Sequence, residues 1–224
     1  MNETIKLIKN RNSCRSFKNE NIKQKDINII LDTVSNSASG ANMQPFNIYS
    51  VSGDKLTQLG ETIINHIKNG GNYEQDIQYY PINWVSEFKK RRMKTGSDLY
   101  SFLNIDRKDK DKRMEQWFDN FRWFGSQNVF FVTIDKRMIE DSQGMLIDSG
   151  ILLQNIIMSS ESLGYKTCPQ GSTTEYGKIV KKVLDIPDTE ALLYSIVIGI
   201  PNNDNINNFK PSKINYKDTA KHIQ

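Results

Sequence analysis

Three short polar clusters stand at boundaries between predicted helices and strands, where a rigid scaffold commonly presents binding groups. The first cluster contains Arg11, Ser13 and Arg15. Alternate residues of an extended segment point the same way, so two guanidinium groups and a hydroxyl would converge on one side and suit a phosphate. The alternative interpretation is a pair of solvated arginines that simply follow a helix.

The second cluster is the run at residues 39–45, which reads S-G-A-N-M-Q-P. Gly40 permits close approach of a ligand to the backbone, and the amides of Asn42 and Gln44 each offer a donor and an acceptor. Such groups suit the edge of a heteroaromatic ring or a ribityl chain. The same run is also compatible with an ordinary turn.

The third cluster, residues 167–171, ends a predicted strand, a place where open sheets often bind ligands. A nucleophilic role for Cys168 competes there with the role of a small buried thiol. The sequence contains His66 and His222, and neither lies near Cys168 to act as its base. We therefore expect a buried, unreactive cysteine.

Composition argues against several classes of protein. The 224 residues are 37% hydrophobic, with a mean hydropathy of −0.59 and no apolar run long enough to cross a bilayer. Cys14 and Cys168 give no disulfide framework, and the start of the chain has no secretory pattern, so we expect a cytoplasmic protein. A net charge of +4 raises the possibility of nucleic-acid binding, but the charged run at residues 107–113 alternates in sign and predicts a solvated face.

Helices and strands interleave along the chain, which predicts an α+β or α/β sheet flanked by helices. Apolar periodicity predicts helices at residues 4–10, 27–34, 54–70, 142–163 and 174–184, with Asp54 and Thr174 as N-caps. Strands are predicted at residues 46–51, 129–134, 165–168 and 191–200. The helix at residues 142–163 is apolar nearly all round, which indicates burial, for example in a subunit interface.

Two segments fall outside this core pattern. Residues 71–115, which we call the excursion, are polar with scattered aromatic side chains, and we expect a partly helical lid. Residues 201–224 are polar and rich in asparagine, so we expect them to fray or to embrace a partner. Residues 1–224 are expected to form a single domain that carries these two additions.

Taken in order, the three clusters resemble motifs of the nitroreductase family. The opening I-K-N-R-N-S-C-R-S-F (residues 8–17) resembles the family's Arg-x-Ser-x-Arg-x-Phe element. The run S-G-A-N-M-Q-P-F (39–46) resembles Ser-Gly-x-Asn-x-Gln-Pro-Trp, and L-G-Y-K-T-C-P-Q (163–170) resembles the loop beside the flavin. The run I-N-N-F-K-P-S-K (206–213) is similar to the tail of a nitrobenzoate-reductase-like subgroup. The resemblance spans nearly the whole chain.

The resemblance implies an α+β fold, with a central, mostly antiparallel sheet flanked by helices, and a homodimer with exchanged terminal arms. It implies FMN at the dimer interface, touched by both subunits, with NADH or NADPH as electron donor. Hydride would pass through flavin N5 in a ping-pong mechanism, so no side chain is expected to be catalytic. Nitroaromatic compounds, quinones or related small oxidants would be reduced, and no metal, nucleic acid or membrane partner is expected.

The same resemblance assigns cofactor contacts residue by residue. Those expected at the phosphate are Arg11, Ser13, Arg15 and either Lys210 or Lys213, with Asn12 beside them. Those expected at the ribityl chain or ring are Ser39, Gly40, Asn42, Gln44, Asn120, Pro169, Gln170 and Gly171. Both lysines stand where the family has arginine, which keeps the charge and loses the bidentate geometry.

Two alternatives remain open on the sequence. The chain could be a flavin enzyme of the same fold with another substrate, such as a dehalogenase or an enoate reductase. It could also bind FMN without turnover, as a reservoir or a sensor. Reduction of the bound flavin by NAD(P)H would distinguish an enzyme from a reservoir.

Overall fold

A single antiparallel sheet forms the centre of the molecule. The computed structural model describes residues 2–140 and 142–223. Within them, four strands pair in the order β1-β2-β4-β3. They are β1 (Phe46–Ser52), β2 (Asn128–Asp135), β3 (Lys166–Gln170) and β4 (Glu190–Gly199). The two central strands are almost entirely buried because their runs of β-branched and aromatic residues pack on both faces.

Helices cover both faces of the sheet. In the described residues they are α1 (Glu3–Asn10), α2 (Gln24–Val34), α3 (Asp54–Lys68), α4 (Ser86–Phe102), α5 (Lys110–Phe118), α6 (Arg137–Glu140), α7 (Gly144–Ser162) and α8 (Gly177–Leu184). Alternation along β2 assigns the faces: Phe130 and Val132 pack with α2 and α7, whereas Val129 and Phe131 pack with α3 and α8. None of these helices combines the length and apolar character that a bilayer span requires.

Three predicted boundaries differ from the structure. The N-cap of α3 is Gly53, at a φ of 66°, and Asp54 is the first helical residue. Thr174 lies in a short 3-10 turn before α8, where its hydroxyl donates to the carbonyl oxygen of Gly171 at 2.5 Å. Strand β3 continues through Pro169 to Gln170, because an edge strand tolerates a residue that has no N–H to donate.

The excursion is tied to the core at its base and exposed in its middle. The Nζ of Lys181 lies 2.8 Å from Oδ1 of Asp76, and both side chains are buried. The other oxygen of Asp76 accepts from the N–H of Leu192 in β4 at 3.3 Å. Helix α4, by contrast, contains no buried residue. The partly helical character predicted for this segment is confirmed by α4 and the start of α5.

The first part of the C-terminal segment packs on its own chain. Pro201 pairs with Phe17 in an isolated bridge, and Phe209 is buried. Residues 201–209 therefore do not fray, and the alternative that they embrace a partner stays a prediction. They do not fray because side-chain amides in this stretch replace the backbone pairing that an apolar strand would have provided. For residues 210–223, which are mostly exposed, the prediction stays open.

Candidate functional site

Residues 11–15, which we call the arginine loop, lie against β3. The N–H of Cys14 donates to a carbonyl oxygen of that strand at 2.9 Å. The charges of Arg11 and Arg15 both act on the ionisation of Cys168 in the same strand. The first and third polar clusters therefore meet at this edge of the sheet.

Both cysteines are buried beside the arginine loop. Burial raises the pKa of the Cys168 thiol to about 11, although the charges of Arg15 and Arg11 and a hydrogen bond with Ser13 act to lower it. Burial also raises the pKa of Cys14 to about 11. Because the thiolate is the nucleophilic form, thiols with such pKa values are inert at neutral pH. The expectation of a small buried cysteine at position 168 is confirmed.

One side chain, that of Asn207, holds the arginine loop in shape. Its Oδ1 accepts from the N–H of Arg15 at 2.7 Å and from that of Ser16 at 3.1 Å. Its Nδ2 donates to the carbonyl oxygen of Ser16 at 2.8 Å. Asn12, predicted near the cofactor, donates from its side chain to the carbonyl oxygen of Asn207 at 2.7 Å. Asn12 and Asn207 therefore position the loop, and the sequence alone did not single out Asn207.

The two candidate lysines differ in their relation to the arginine loop. The guanidinium of Arg15 lies 5.8 Å from the ring centre of Phe209, and Lys210 follows directly along the chain. Lys213 lies three residues further on, and both lysines are exposed. Lys210 and Lys213 therefore both stay candidates for the phosphate.

Gln170 and Asn120 meet at the end of β3. The Nε2 of Gln170 donates to the carbonyl oxygen of Asn120 at 2.9 Å and to its Oδ1 at 3.3 Å. The Oε1 of Gln170 accepts from Ser195 at 3.3 Å, and Ser195 shares a hydrogen bond with Thr173 at 3.0 Å. This buried polar chain fixes the strand end. Because the Gln170 side chain is buried, a ligand would meet its backbone.

The excursion reaches the end of β3 through Tyr79. A Cβ on Gly171 would lie 2.6 Å from an atom of the Tyr79 ring, so a larger residue there would displace the tyrosine. The hydroxyl oxygen of the next residue, Ser172, is buried without a hydrogen-bond partner among the described residues. A polar atom in this condition is available to a ligand.

Residues 39–44, which we call the amide turn, are exposed apart from the half-buried Ser39 and have an unusual backbone. Ala41, Asn42 and Gln44 have φ values of 48°, 57° and 48°. The left-handed conformation costs a residue with a side chain about 1–2 kcal/mol. The N–H of Gln44 donates to the Ser39 hydroxyl oxygen at 3.0 Å, which holds the turn closed. Strain of this kind points to a functional segment.

The amide turn and the arginine loop lie at opposite edges of the sheet. The turn leads into β1 and is tied to α7 by the N–H of Gly40, which donates to Oδ2 of Asp148 at 3.1 Å. The arginine loop lies on β3, and β2 and β4 separate the two edges. Three strand spacings amount to about 14 Å. The chain therefore brings the first and third clusters together and leaves the second apart.

A cleft of about 840 Å³, which we call the basic cleft, opens between the excursion and the core. Arg15 and Asn120 are part of its lining. The other basic residues in its lining are Arg92, Lys94, Arg107 and Arg113. Arg113 is half-buried, with its guanidinium 4.6 Å from the ring centre of Tyr100. Most of residues 107–113 are exposed, as predicted, and Arg113 is half-buried because α5 packs against α4 and brings it to Tyr100.

A model described as the nitroreductase family matches residues 8–200. The 4-nitrobenzoate reductase of Nocardioides sp. (strain LMS-CY) is 25% identical over 196 residues, which cover 86% of this chain and 78% of that protein. Nitroreductase NfnB of Mycolicibacterium smegmatis (strain ATCC 700084 / mc(2)155) is 23% identical over 189 residues, or 84% of this chain and 79% of that one.

The fold has the same relatives. The crystal structure of the FMN and NADPH-dependent nitroreductase NfnB from Sphigopyxis sp. strain HMH superposes with a TM-score of 0.94, at 23% identity and over 100% of both chains. The likeness confirms the predicted α+β nitroreductase fold, with its antiparallel sheet. Because the family model covers most of its length, the chain belongs to the nitroreductase family.

Proposed function

We propose that the protein is an FMN-dependent oxidoreductase that takes hydride from NAD(P)H and reduces nitroaromatic, quinone or related small oxidants. The main support is the state of Arg11 and Arg15, which are partly buried at β3. Within the described residues, neither has a carboxylate in ion-pair contact. Charges withdrawn from water are normally paired, so two unpaired guanidinium groups predict an anionic ligand. The NfnB relatives, described as FMN-dependent, support this choice of ligand.

The side chains around β3 fit FMN by their chemistry. Planar guanidinium groups match a phosphate bidentately, Ser13 adds a hydroxyl, and Lys210 or Lys213 would add a third cation. At the other end, the amide of Asn120 and the backbone of Pro169, Gln170 and Gly171 offer donors and acceptors to the edge of a planar ring. The free hydroxyl of Ser172 stands next to them.

The chain's own residues account for binding and orientation in this proposal. When bound, FMN supplies the two-electron hydride chemistry that connects the nicotinamide with the oxidant. The arginine loop fixes the position of the phosphate, and the polar chain behind Gln170 keeps the end of β3 rigid. Donors held in place without reorganisation favour negative charge nearby. Nicotinamide and oxidant occupy the open side of the cleft in turn, which is a ping-pong scheme.

We also propose that the working unit is a homodimer. Helix α7 exposes Ile147 and Ile151, with 71% and 38% of their surface accessible. A second copy that covers this apolar face would bring its amide turn towards the arginine loop of the first. Ser39, Gly40, Asn42 and Gln44 would then contact the partner's flavin, and the C-terminal segment (residues 201–224) would supply the exchanged arm.

The proposal also covers the domain organisation and the cellular compartment. Residues 1–224 form one domain, in which the excursion is the lid over the cleft. The two buried, unpaired cysteines fit a reducing compartment, so we place the protein in the cytoplasm.

An absorbance spectrum of the purified protein with FMN, before and after anaerobic NADH or NADPH, tests the proposal. We expect a bound-flavin spectrum that bleaches with a reduced nicotinamide and recovers when nitrobenzene or a quinone is added. Flavin that binds and resists both nicotinamides would leave only a reservoir or a sensor. Protein that binds no flavin would refute the proposal entirely.

A further inference from the structure

The basic cleft contains guanidinium groups that the FMN assignment does not use. Arg92 projects from α4, Arg107 from the loop after it, and Arg113 from α5. Within the part of the chain that the structure describes, none of the three has a carboxylate in ion-pair contact. Their neighbours are neutralised: Arg91 pairs with Glu87, and Lys94 pairs with Asp98. The cleft therefore keeps a net positive charge.

Two of these guanidinium groups lie over aromatic rings. Arg92 lies 4.6 Å from the ring centre of Tyr80 and 5.5 Å from that of Trp84. Arg113 lies 4.6 Å from the ring centre of Tyr100, and one of its Nη atoms donates to the carbonyl oxygen of Arg107 at 3.1 Å. Stacking uses the face of a guanidinium and leaves N–H groups at its edge, where carboxylates and phosphates bind.

The rest of the lining suits a planar anion. Among the described residues that line the cleft, no side chain is that of Asp or Glu. Tyr80, Tyr100, Trp117 and Phe124 add aromatic surface. Low-dielectric walls that carry one sign of charge focus the electric field on the space between them. The volume of about 840 Å³ also falls in the range of small-molecule pockets.

We propose that the basic cleft selects substrates that carry a negative charge on or near a planar ring, and that Arg92 and Arg113 bind that charge. The inference rests on the proposed function, because Arg15 and Asn120, which also line the cleft, are assigned to FMN. Two substrates of such an enzyme have this chemistry. One is an aromatic acid that acts as the oxidant, and the other is the phosphate-bearing reduced nicotinamide.

The test uses Arg92→Gln and Arg113→Gln in the FMN-loaded enzyme, with two matched pairs of substrates. The oxidants are para-nitrobenzoate and its uncharged analogue para-nitrobenzamide, and the donors are NADPH and NADH. We expect kcat/KM for either para-nitrobenzoate or NADPH to fall about tenfold, because a charge-assisted hydrogen bond is lost. The kcat/KM for the matched analogue, para-nitrobenzamide or NADH, should change little. Added salt should reduce the same preference in the unmodified enzyme.

Arg91→Gln is the matched control, because it removes the same charge from the adjacent position of α4, outside the cleft lining. It should leave both preferences unchanged. Arg113→Lys keeps the charge and should restore part of the preference, which separates recognition of the anion from a folding defect. A loss confined to the oxidant pair assigns the site to an aromatic acid, and a loss confined to the donor pair assigns it to a phosphate.

Equilibrium dialysis of labelled benzoate against the holoenzyme gives a readout that does not depend on turnover. Binding should weaken in Arg92→Gln and Arg113→Gln and not in Arg91→Gln. An active enzyme in which both substrate preferences and benzoate binding survive the cleft substitutions would overturn this inference and leave the proposed function intact. Absence of flavin binding or of reduction in the unmodified protein would instead refute the proposed function.

Discussion

The arginine loop and the amide turn are both proposed to contact FMN, yet the chain supports them in opposite ways. Hydrogen bonds to β3 and to Asn207 fix the backbone of the arginine loop before a ligand arrives. The amide turn presents exposed side chains of Asn42 and Gln44 on a left-handed backbone, tied to α7 through Gly40. We infer that one chain completes the phosphate end of the site and presents the turn to a second copy.

The first test combines two differently substituted chains in one dimer, and it has the largest expected effect. A chain with Arg11→Gln and Arg15→Gln should bind FMN about a thousandfold more weakly, because two charge-assisted contacts are lost. A chain with Asn42→Ala and Gln44→Ala should bind it at least about tenfold more weakly. A purified mixed dimer of the two chains should contain one intact site, detected by titration of flavin fluorescence.

The mixed dimer distinguishes the two arrangements because both homodimers are defective at every site. If the arginine loop and the amide turn of the same chain served one flavin, each site of the mixed dimer would still carry a defect, and no tight binding would return. Riboflavin is the matched ligand control, since it lacks the phosphate. The change at Arg11 and Arg15 should weaken FMN binding far more than riboflavin binding.

The second test concerns Asn207, whose side chain holds the arginine loop. Replacing Asn207 by alanine should lower the free energy of unfolding by about 3 kcal/mol, because several partly buried backbone groups lose their partners. Asn208→Ala, at the exposed neighbouring position, should stay within about 0.5 kcal/mol of the unmodified protein. Urea unfolding measures both values.

The amide turn provides the contrast for that measurement. Asn42→Ala removes an exposed side chain and breaks no buried hydrogen bond, so the free energy of unfolding should also change by no more than about 0.5 kcal/mol. Equal stability of Asn207→Ala and Asn208→Ala would mean that the arginine loop is not held by this side chain, and the comparison would lose its structural basis.

The core elements could be predicted from the sequence because burial sets their pattern. Strands β1, β2 and β4 begin and end within a residue or so of the predicted bounds, since their apolar runs meet polar residues at both ends. Strand β3 was predicted too short, because Pro169 looks like a terminator unless the strand is known to lie at an edge. The order of strands depends on long-range pairing, which local patterns do not encode.

The candidate site was predicted less completely, for a related reason. The arginine loop, the amide turn and the end of β3 were each visible as polar clusters, but only the family resemblance joined them. Arg92 and Arg113 were not assigned to the site, because their stacking on Tyr80 and Tyr100 arises when α4 and α5 pack. The aromatic side chains scattered through a polar excursion were a signal for such contacts.

The smallest effect concerns the thiol beneath the arginine loop. Burial raises the pKa of Cys168 from its usual 9.0 to about 11 in the folded protein. Below pH 9 the thiol is protonated in both states, so its contribution to stability is fully present there. Between these two pKa values the unfolded chain releases the proton and the folded chain keeps it, so stability falls as pH rises. The loss should reach about 2 kcal/mol near pH 10.5.

Urea unfolding at about pH 8 and pH 10.5, for the unmodified protein and Cys168→Ala, isolates this contribution. The substitution leaves a small cavity whose cost is the same at both pH values, so the difference between the two losses reports the thiol alone. The unmodified protein should lose about 2 kcal/mol more than Cys168→Ala. Equal losses would mean that Cys168 ionises in the folded state. The arginine loop would then be as open to water as the amide turn, and the contrast between the two regions would not hold.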